Sequence, residues 1–228
     1  MNEIILSNDN SNQLLVLEQI NKLPVQITSK KDLFFKVGED PLNNVDTAKY
    51  FYFILDGKIK IYDIDFNTSK EQILYLLSRG DMFDVVSLLD GKPNQYISEV
   101  LEDAHLVQVP LGDVKRMIDE DEKFKQYFYA YIATRLKSME DLAVSLSFYD
   151  VYQRVIQLFA RFTKVENGVA KLNIIDNLKH EDIAAMVGSV RKVVNRSLQK
   201  LKKDGIIDIS RKKIHIKNFQ SLLDKLDI

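Results

Sequence analysis

Between residues 51 and 109 apolar and aromatic side chains come in short runs, and small polar groups break them. Phe51-Tyr52-Phe53-Ile54-Leu55, Lys58-Ile59-Lys60-Ile61-Tyr62, Gln72-Ile73-Leu74-Tyr75-Leu76 and Leu106-Val107-Gln108-Val109 are rich in β-branched and aromatic residues, which predicts strands. Asp56-Gly57, Arg79-Gly80-Asp81 and Asp90-Gly91-Lys92-Pro93 read as turns. Short strands joined by tight turns predict a compact β-roll or jelly roll over residues 1–112.

Near Leu111 the period changes. Asp113 to about Ile118 predicts a short helix, and no Gly or Pro interrupts a helical pattern from Asp121 to Ser147. Phe128, Ile132, Arg135, Met139, Leu142 and Leu146 recur at alternating spacings of four and three, a coiled-coil seam. A helix of ~27 residues would be about 40 Å long, too long for a small domain to cover. Residues 113–147 thus make a short helix and a long one, and the long one, residues 121–147, is expected to pair with a second copy of the chain. Arg135 on that seam needs a partner, for which Glu140 of the other copy or a bound anion would serve.

From residue 148 onward helices predominate. Asp150 to Phe162 is amphipathic, Asn167-Gly168 marks a turn, and Leu172 to Ile175 is a short extended stretch. His180 to Val187 predicts a short helix, Gly188 a break, and Val190 to Lys203 a second helix with Ser189 as its cap. Ala184 is small where two helices must cross, and Ile183, Val187, Val194, Leu198 and Leu201 supply a shared core. Arg191, Lys192, Asn195, Arg196 and Gln199 share the face left open, with Lys179 and His180 at the start of the first helix. A basic helix of this kind fits a major groove, where Arg bonds bidentately to guanine. Ile206-Ile207-Asp208-Ile209 and Ile214-His215-Ile216 alternate around Arg211, Lys212 and Lys213, a hairpin wing with a basic tip placed to touch phosphate.

Charge distribution supports that reading where total charge does not. The formal charge of the 228-residue chain is −1, yet Arg191 to Lys213 holds nine basic and two acidic residues, a local charge of +7 that leaves −8 elsewhere. Composition narrows the alternatives: 46% hydrophobic and 29% charged residues fit a globular α+β protein. The absence of cysteine removes disulfides, thiolate nucleophiles and cysteine-held zinc or iron–sulfur sites, and fits a reducing compartment. The most apolar run, Phe51 to Leu55, is far too short to span a bilayer, and Asn8 to Asn12 are polar where a signal peptide would be apolar, so a cytoplasmic protein without a membrane partner is expected. An enzyme is disfavoured, because a metal-dependent roll needs clustered His and Glu and this one has only His105; the same count disfavours haem. No metal site is expected.

Asp182-Ile183-Ala184, Val187-Gly188, Arg191, Arg196 and Leu201 through Gly205-Ile206-Ile207, with Asp56-Gly57 and Gly80-Asp81 ahead of them, complete the picture. β-roll, long helix and C-terminal winged helix-turn-helix (residues 148–228) in that order resemble the cyclic-AMP receptor and fumarate-nitrate regulator (Crp/Fnr) family of bacterial transcription factors. The resemblance implies a homodimer on palindromic double-stranded DNA, with RNA polymerase as a further partner. It implies that Arg191 reads a guanine and that Arg196 contacts bases or phosphate. Lys192 stands where that family usually has a Glu that reads cytosine, and Val190 where a phosphate-binding Ser or Thr is common, so the half-site does not carry over.

The roll departs further. Cyclic-nucleotide rolls of this family place a Glu shortly after Gly-Asp and an Arg-Ser pair beyond it; here Val85 and Tyr96-Ile97 hold those places. Cyclic AMP is therefore expected not to bind, its phosphate lacking a cation. Val85-Val86-Ser87-Leu88-Leu89 with Arg135 and Glu140 looks more like the cyanobacterial global nitrogen regulator branch, which implies 2-oxoglutarate as effector and Arg135 as carboxylate clamp, although Gln95 stands where that branch offers a second Arg. The candidate effector pocket is Phe83, Val85, Val86, Leu88, Gln95, Tyr96, Arg135 and Glu140. Another small effector, none at all, or a protein-interaction adaptor on the same fold remain alternatives.

Overall fold

The computed structural model describes residues 30–44, 46–92, 96–210 and 213–226. These residues fold as two compact units, one made of residues up to 63 together with 74–139, the other of residues 64–73 and 140 onward.

The first unit is the roll. Its strands are β1 (Lys31–Phe35), β2 (Tyr50–Asp65), β3 (Lys70–Ser78), β4 (Met82–Phe83) and β5 (Ile97–Pro110), and the sheet order is β1-β5-β2-β3 with β4 pairing β2. Strand side chains alternate between faces, and β2 uses both. Phe51 and Phe53 point one way, joining Val107, Val109, Val114, Phe124 and Phe128 in a first core. Tyr52 and Ile54 point the other way, into a second core with Ile59, Ile61, Phe83, Val100 and Leu106.

Asp56-Gly57, expected as a turn, is instead an irregularity inside β2: the register on β5 shifts between Ile54 and Ile59 and pairing continues on both sides. Gly57 has φ +91°, and a Cβ there would lie 2.4 Å from the Asp103 carbonyl oxygen, so the close passage of β5 requires glycine. Gly80, with φ +89°, makes the expected turn between β3 and β4. Helix α1 (Val85–Asp90) was not expected: it begins at Asp84, whose carboxylate accepts from the amides of Val86 and Ser87, and ends at Gly91 in the left-handed region.

β5 leads into α2 (Leu111–Glu120) and the long α3 (Glu122–Phe148). Here the expected seam requires correction. Phe128 is fully buried in the first core, and Ile132 packs against it. The large apolar side chains that α3 leaves exposed are Tyr129, Leu136, Val144, Leu146 and Phe148, of which Leu146 belongs to the expected seam. The N-terminal half of the expected stripe thus covers its own sheet, and its C-terminal end does not.

The second unit contains α4 (Val151–Arg161), the hairpin β6 (Thr163–Glu166) and β7 (Val169–Leu172), α5 (His180–Met186), α6 (Arg191–Lys203), the hairpin β8 (Ile207–Ser210) and β9 (Lys213–Ile216), and α7 (Phe219–Leu223). Asp150 caps α4 by accepting from the Gln153 amide at 2.8 Å. The β6–β7 hairpin, turning at Asn167-Gly168, replaces the lone extended stretch expected near Leu172. Phe159, Ile175, Ile183, Val194, Leu198, Leu201, Ile206 and Ile214 form its apolar core.

Candidate nucleic-acid interface and roll pocket

The turn between α5 and α6 is made by Gly188 at φ +61° and closed by the Ser189 amide donating to the Ala184 carbonyl at 2.9 Å. Ser189 does not cap the helix. Val190 occupies the cap position in extended conformation, with no side-chain hydrogen bond. Burial of Val194, Ser197, Leu198 and Leu201 fixes the rotation of α6, and it leaves Arg191, Lys192, Arg196 and Gln199 exposed on the opposite face.

Two contacts tie this face to α5. The Arg191 guanidinium lies 2.9 Å from the Glu181 carboxylate, both more than half exposed. His180 Nδ1 lies 2.6 Å from Asn195 Oδ1, and both residues are half-buried. Lys179 is exposed just ahead of α5. Glu181 was missed from the sequence, although an acid in the first turn of the leading helix is a visible signal. On the wing, Lys213 pairs with Asp176 at 3.1 Å, while Arg211 and Lys212 lie outside the described residues. Lys200 is placed 4.0 Å above the Tyr152 ring.

In the roll, a cavity of about 230 Å³ opens between β3, β4, α1 and α3. Phe83, Val85, Val86, Tyr96 and Arg135 line it as expected. Leu88 does not; it is 2% exposed and turned into the first core. Glu140 is not among the lining residues, and Gln95 lies outside the described ones. Ile132 and Met139, expected on the dimer seam, face the cavity, as do Tyr75, Tyr131 and Leu136. Phe128, Ile132, Arg135 and Met139 of the expected seam thus pack on or face the roll, whereas Leu142 is half-buried and Leu146 is 40% exposed outside it.

Arg135 is the decisive group. It pairs with Asp81 of its own chain rather than across a seam, with side-chain exposures of 25% and 7%. Asp81 also accepts from the Ser78 amide at 2.8 Å, so the turn at Gly80 holds the carboxylate. The guanidinium sits 4.8 Å above the Tyr131 ring and 6.0 Å from that of Tyr75. Burial opposes its charge, but Tyr131 and Asp81 more than offset this and raise its pKa further. Burial pushes the Tyr131 and Tyr96 phenols up to about 12. Asp84, a carboxylate on the wall, is buried and spends its oxygens on the amides of Val86 and Ser87, at 3.1 and 3.3 Å, and on the Ser87 hydroxyl. Among the described residues no cluster of His, Asp or Glu is placed to hold a metal ion, and no helix is long and apolar enough to cross a membrane.

Comparison with known proteins agrees with both halves. Residues 33–121 match the cyclic nucleotide-binding domain and residues 153–225 the Crp-like helix-turn-helix domain, together more than two thirds of the chain. The chain is 27% identical over 175 residues to a CRP-like cAMP-activated global transcriptional regulator of Mycobacterium tuberculosis, covering 75% of this chain and 77% of the other. It is 26% identical over 176 residues to the global nitrogen regulator of Nostoc, covering 75% and 78%. A solved structure of a CooA mutant from Carboxydothermus hydrogenoformans superposes with a TM-score of 0.76 at 18% identity, over 92% of this chain and 94% of that one. The fold and the exposed basic helix define a DNA-binding transcription regulator. The chain belongs to the Crp/Fnr family.

Proposed function

We propose that this chain is a homodimeric, sequence-specific regulator that binds palindromic duplex DNA and whose roll does not take a cyclic nucleotide. The observation that carries the first part is the open face of α6, where Arg191, Lys192, Arg196 and Gln199 are all exposed while the opposite face is fully committed to the core. Such a helix presents donors to base edges, and Arg196 and Lys192 add charge for phosphate. The exposed apolar residues Tyr129, Ala133, Leu136, Val144 and Leu146 of α3 support a parallel helix pair. Two recognition helices related by a twofold axis place half-sites about 34 Å apart.

The second part rests on charge. Among the described residues Arg135 is the only cation on the cavity wall, and Asp81 already neutralises it. A cyclic phosphate, or a dicarboxylate such as 2-oxoglutarate, would have to displace a buried carboxylate that the fold itself holds. Selection of bound duplexes from a random pool, with sedimentation of the wild type and of Ala133→Glu/Leu136→Glu, tests the reading. A palindrome and a dimer that the double variant converts to monomer are expected; a non-palindromic site or a wild-type monomer would overturn it. Micromolar binding of cyclic AMP in calorimetry would overturn the second part.

A further inference from the structure

We propose that the roll cavity binds an uncharged, largely apolar small molecule with a flat ring body, hydrogen-bonded by the hydroxyls of Tyr75 and Tyr96. This deepens the reading just given and rests on it in one respect, that the roll has lost cyclic-nucleotide binding. Of the polar groups on the wall, most are spent. Arg135 is engaged by Asp81 at its edge and by the Tyr131 ring on its face. Asp84 is saturated by its work at the start of α1. The Tyr131 oxygen is shared with both the amide and the carbonyl of Met82, at 3.1 Å each. What remains is Tyr75 and Tyr96, whose hydroxyls make no hydrogen bond to another described residue although both rings are half-buried.

The rest of the wall is hydrocarbon and ring: Leu77, Met82, Val85, Ile132, Leu136 and Met139. Phe83 and Tyr96 meet edge-on at 6.0 Å, and Tyr75 and Tyr96 at 6.5 Å, which leaves aromatic surface turned to the cavity. Formal charge in an occupant is disfavoured in either sign. An anion would compete with Asp81, and a cation would face Arg135 with only a saturated carboxylate to answer it. Size sets the upper bound: an apolar cavity of roughly 150 Å³ holds benzene, so about 230 Å³ admits a fused pair of rings.

The sequence makes a clean test possible, because the chain has no tryptophan and indole emission can be excited beyond its ten tyrosines. Titrating the full chain into indole is expected to shift the emission to the blue and to saturate at one site per chain. Indole-3-acetate, the same ring with a carboxylate, should bind at least about tenfold more weakly. Val85→Phe, which fills the cavity, should abolish the shift while circular dichroism stays unchanged. Because indole offers a single N–H, one of Tyr75→Phe and Tyr96→Phe should weaken it about fivefold, the loss of one hydrogen bond, and the other should leave it nearly unchanged; no change in either would overturn the tyrosine contact. An unsaturable shift, a shift that survives Val85→Phe, or equal binding of the acetate would overturn the inference. Anisotropy of a fluorescein-labelled duplex on the same preparation separates the two readings: loss of DNA binding there would overturn the functional proposal and leave the cavity result standing.

Discussion

Removing the Arg135 side chain tests the central electrostatic claim, and its cost is calculable. Arg135→Met keeps the apolar stem that packs along the cavity and deletes the guanidinium, leaving Asp81 7% exposed without its cation. Breaking a buried ion pair by removing one partner costs about 3–5 kcal/mol. Because Arg135 is a quarter exposed, solvent relieves part of this, and about 2–4 kcal/mol is expected. Asp81→Asn should be milder, about 1–2 kcal/mol, since the amide oxygen still accepts from Ser78 and the remaining cation keeps the Tyr131 face. The double variant Arg135→Met/Asp81→Asn should be more stable than Arg135→Met alone, because no uncompensated charge is left. With two structural units, global unfolding need not be two-state. Native-state hydrogen exchange at the Ser78 amide, inside the roll, is therefore the assay. A cost below about 1 kcal/mol for Arg135→Met, or strict additivity of the two changes, would refute the claim that Asp81 neutralises Arg135.

Gly57→Ala should destabilise the roll by at least about 2 kcal/mol, combining a positive φ with a Cβ 2.4 Å from a backbone oxygen, whereas Gly91→Ala, at φ +76° but in open space, should cost about 1 kcal/mol; urea unfolding compares them. Raising the pH above 10 should destabilise the roll: Tyr52, Tyr96 and Tyr131 hold their protons to about 12 when folded, while the unfolded phenols ionise near 10, so stability present below pH 10 is lost as pH rises towards 12, read as a falling Tm alongside phenolate absorbance. Arg191→Ala should weaken the selected site by about 1–3 kcal/mol and relax one base position. Glu181→Gln should instead tighten duplex binding by up to about fivefold, because an exposed ion pair worth at most about 1 kcal/mol no longer has to open; weaker binding would show that Glu181 itself touches a base.

The DNA-binding half was legible because its signals are local. Gly188 at the turn, the small Ala184, the Val194-Leu198-Leu201 stripe and the alternating wing each declare themselves within a few residues, and the structure places α5, α6 and the β8–β9 hairpin there. The roll hid more, since its decisive contacts are distant in sequence. Asp81 and Arg135 stand 54 residues apart, and nothing local announces their pairing. Asp56-Gly57 has the composition of a turn, but glycine also serves where one strand passes close to another, and only the β5 partner distinguishes the two. The long helix misled for a different reason. Periodicity of four and three shows that a stripe is apolar, not what covers it: Phe128 is buried in the roll, while Leu146 on the same stripe is 40% exposed.

Two arginines carry the functional argument, and both are already paired, yet burial makes the pairs behave oppositely. Arg191 and Glu181 are 62% and 54% exposed, so water competes for both charges and the pair is worth at most about 1 kcal/mol. On the proposed reading a guanine edge offering bidentate acceptance would recover more than that, and Glu181 would act as a holder that releases Arg191 to DNA. Arg135 and Asp81 have little water to fall back on, and a competing small anion would have to strand a carboxylate that also closes the turn at Ser78. The same ion-pair chemistry thus keeps one cation available and locks the other. On the proposed reading an anionic effector would find no free handle in the roll, while Arg191 would stay free to move to DNA.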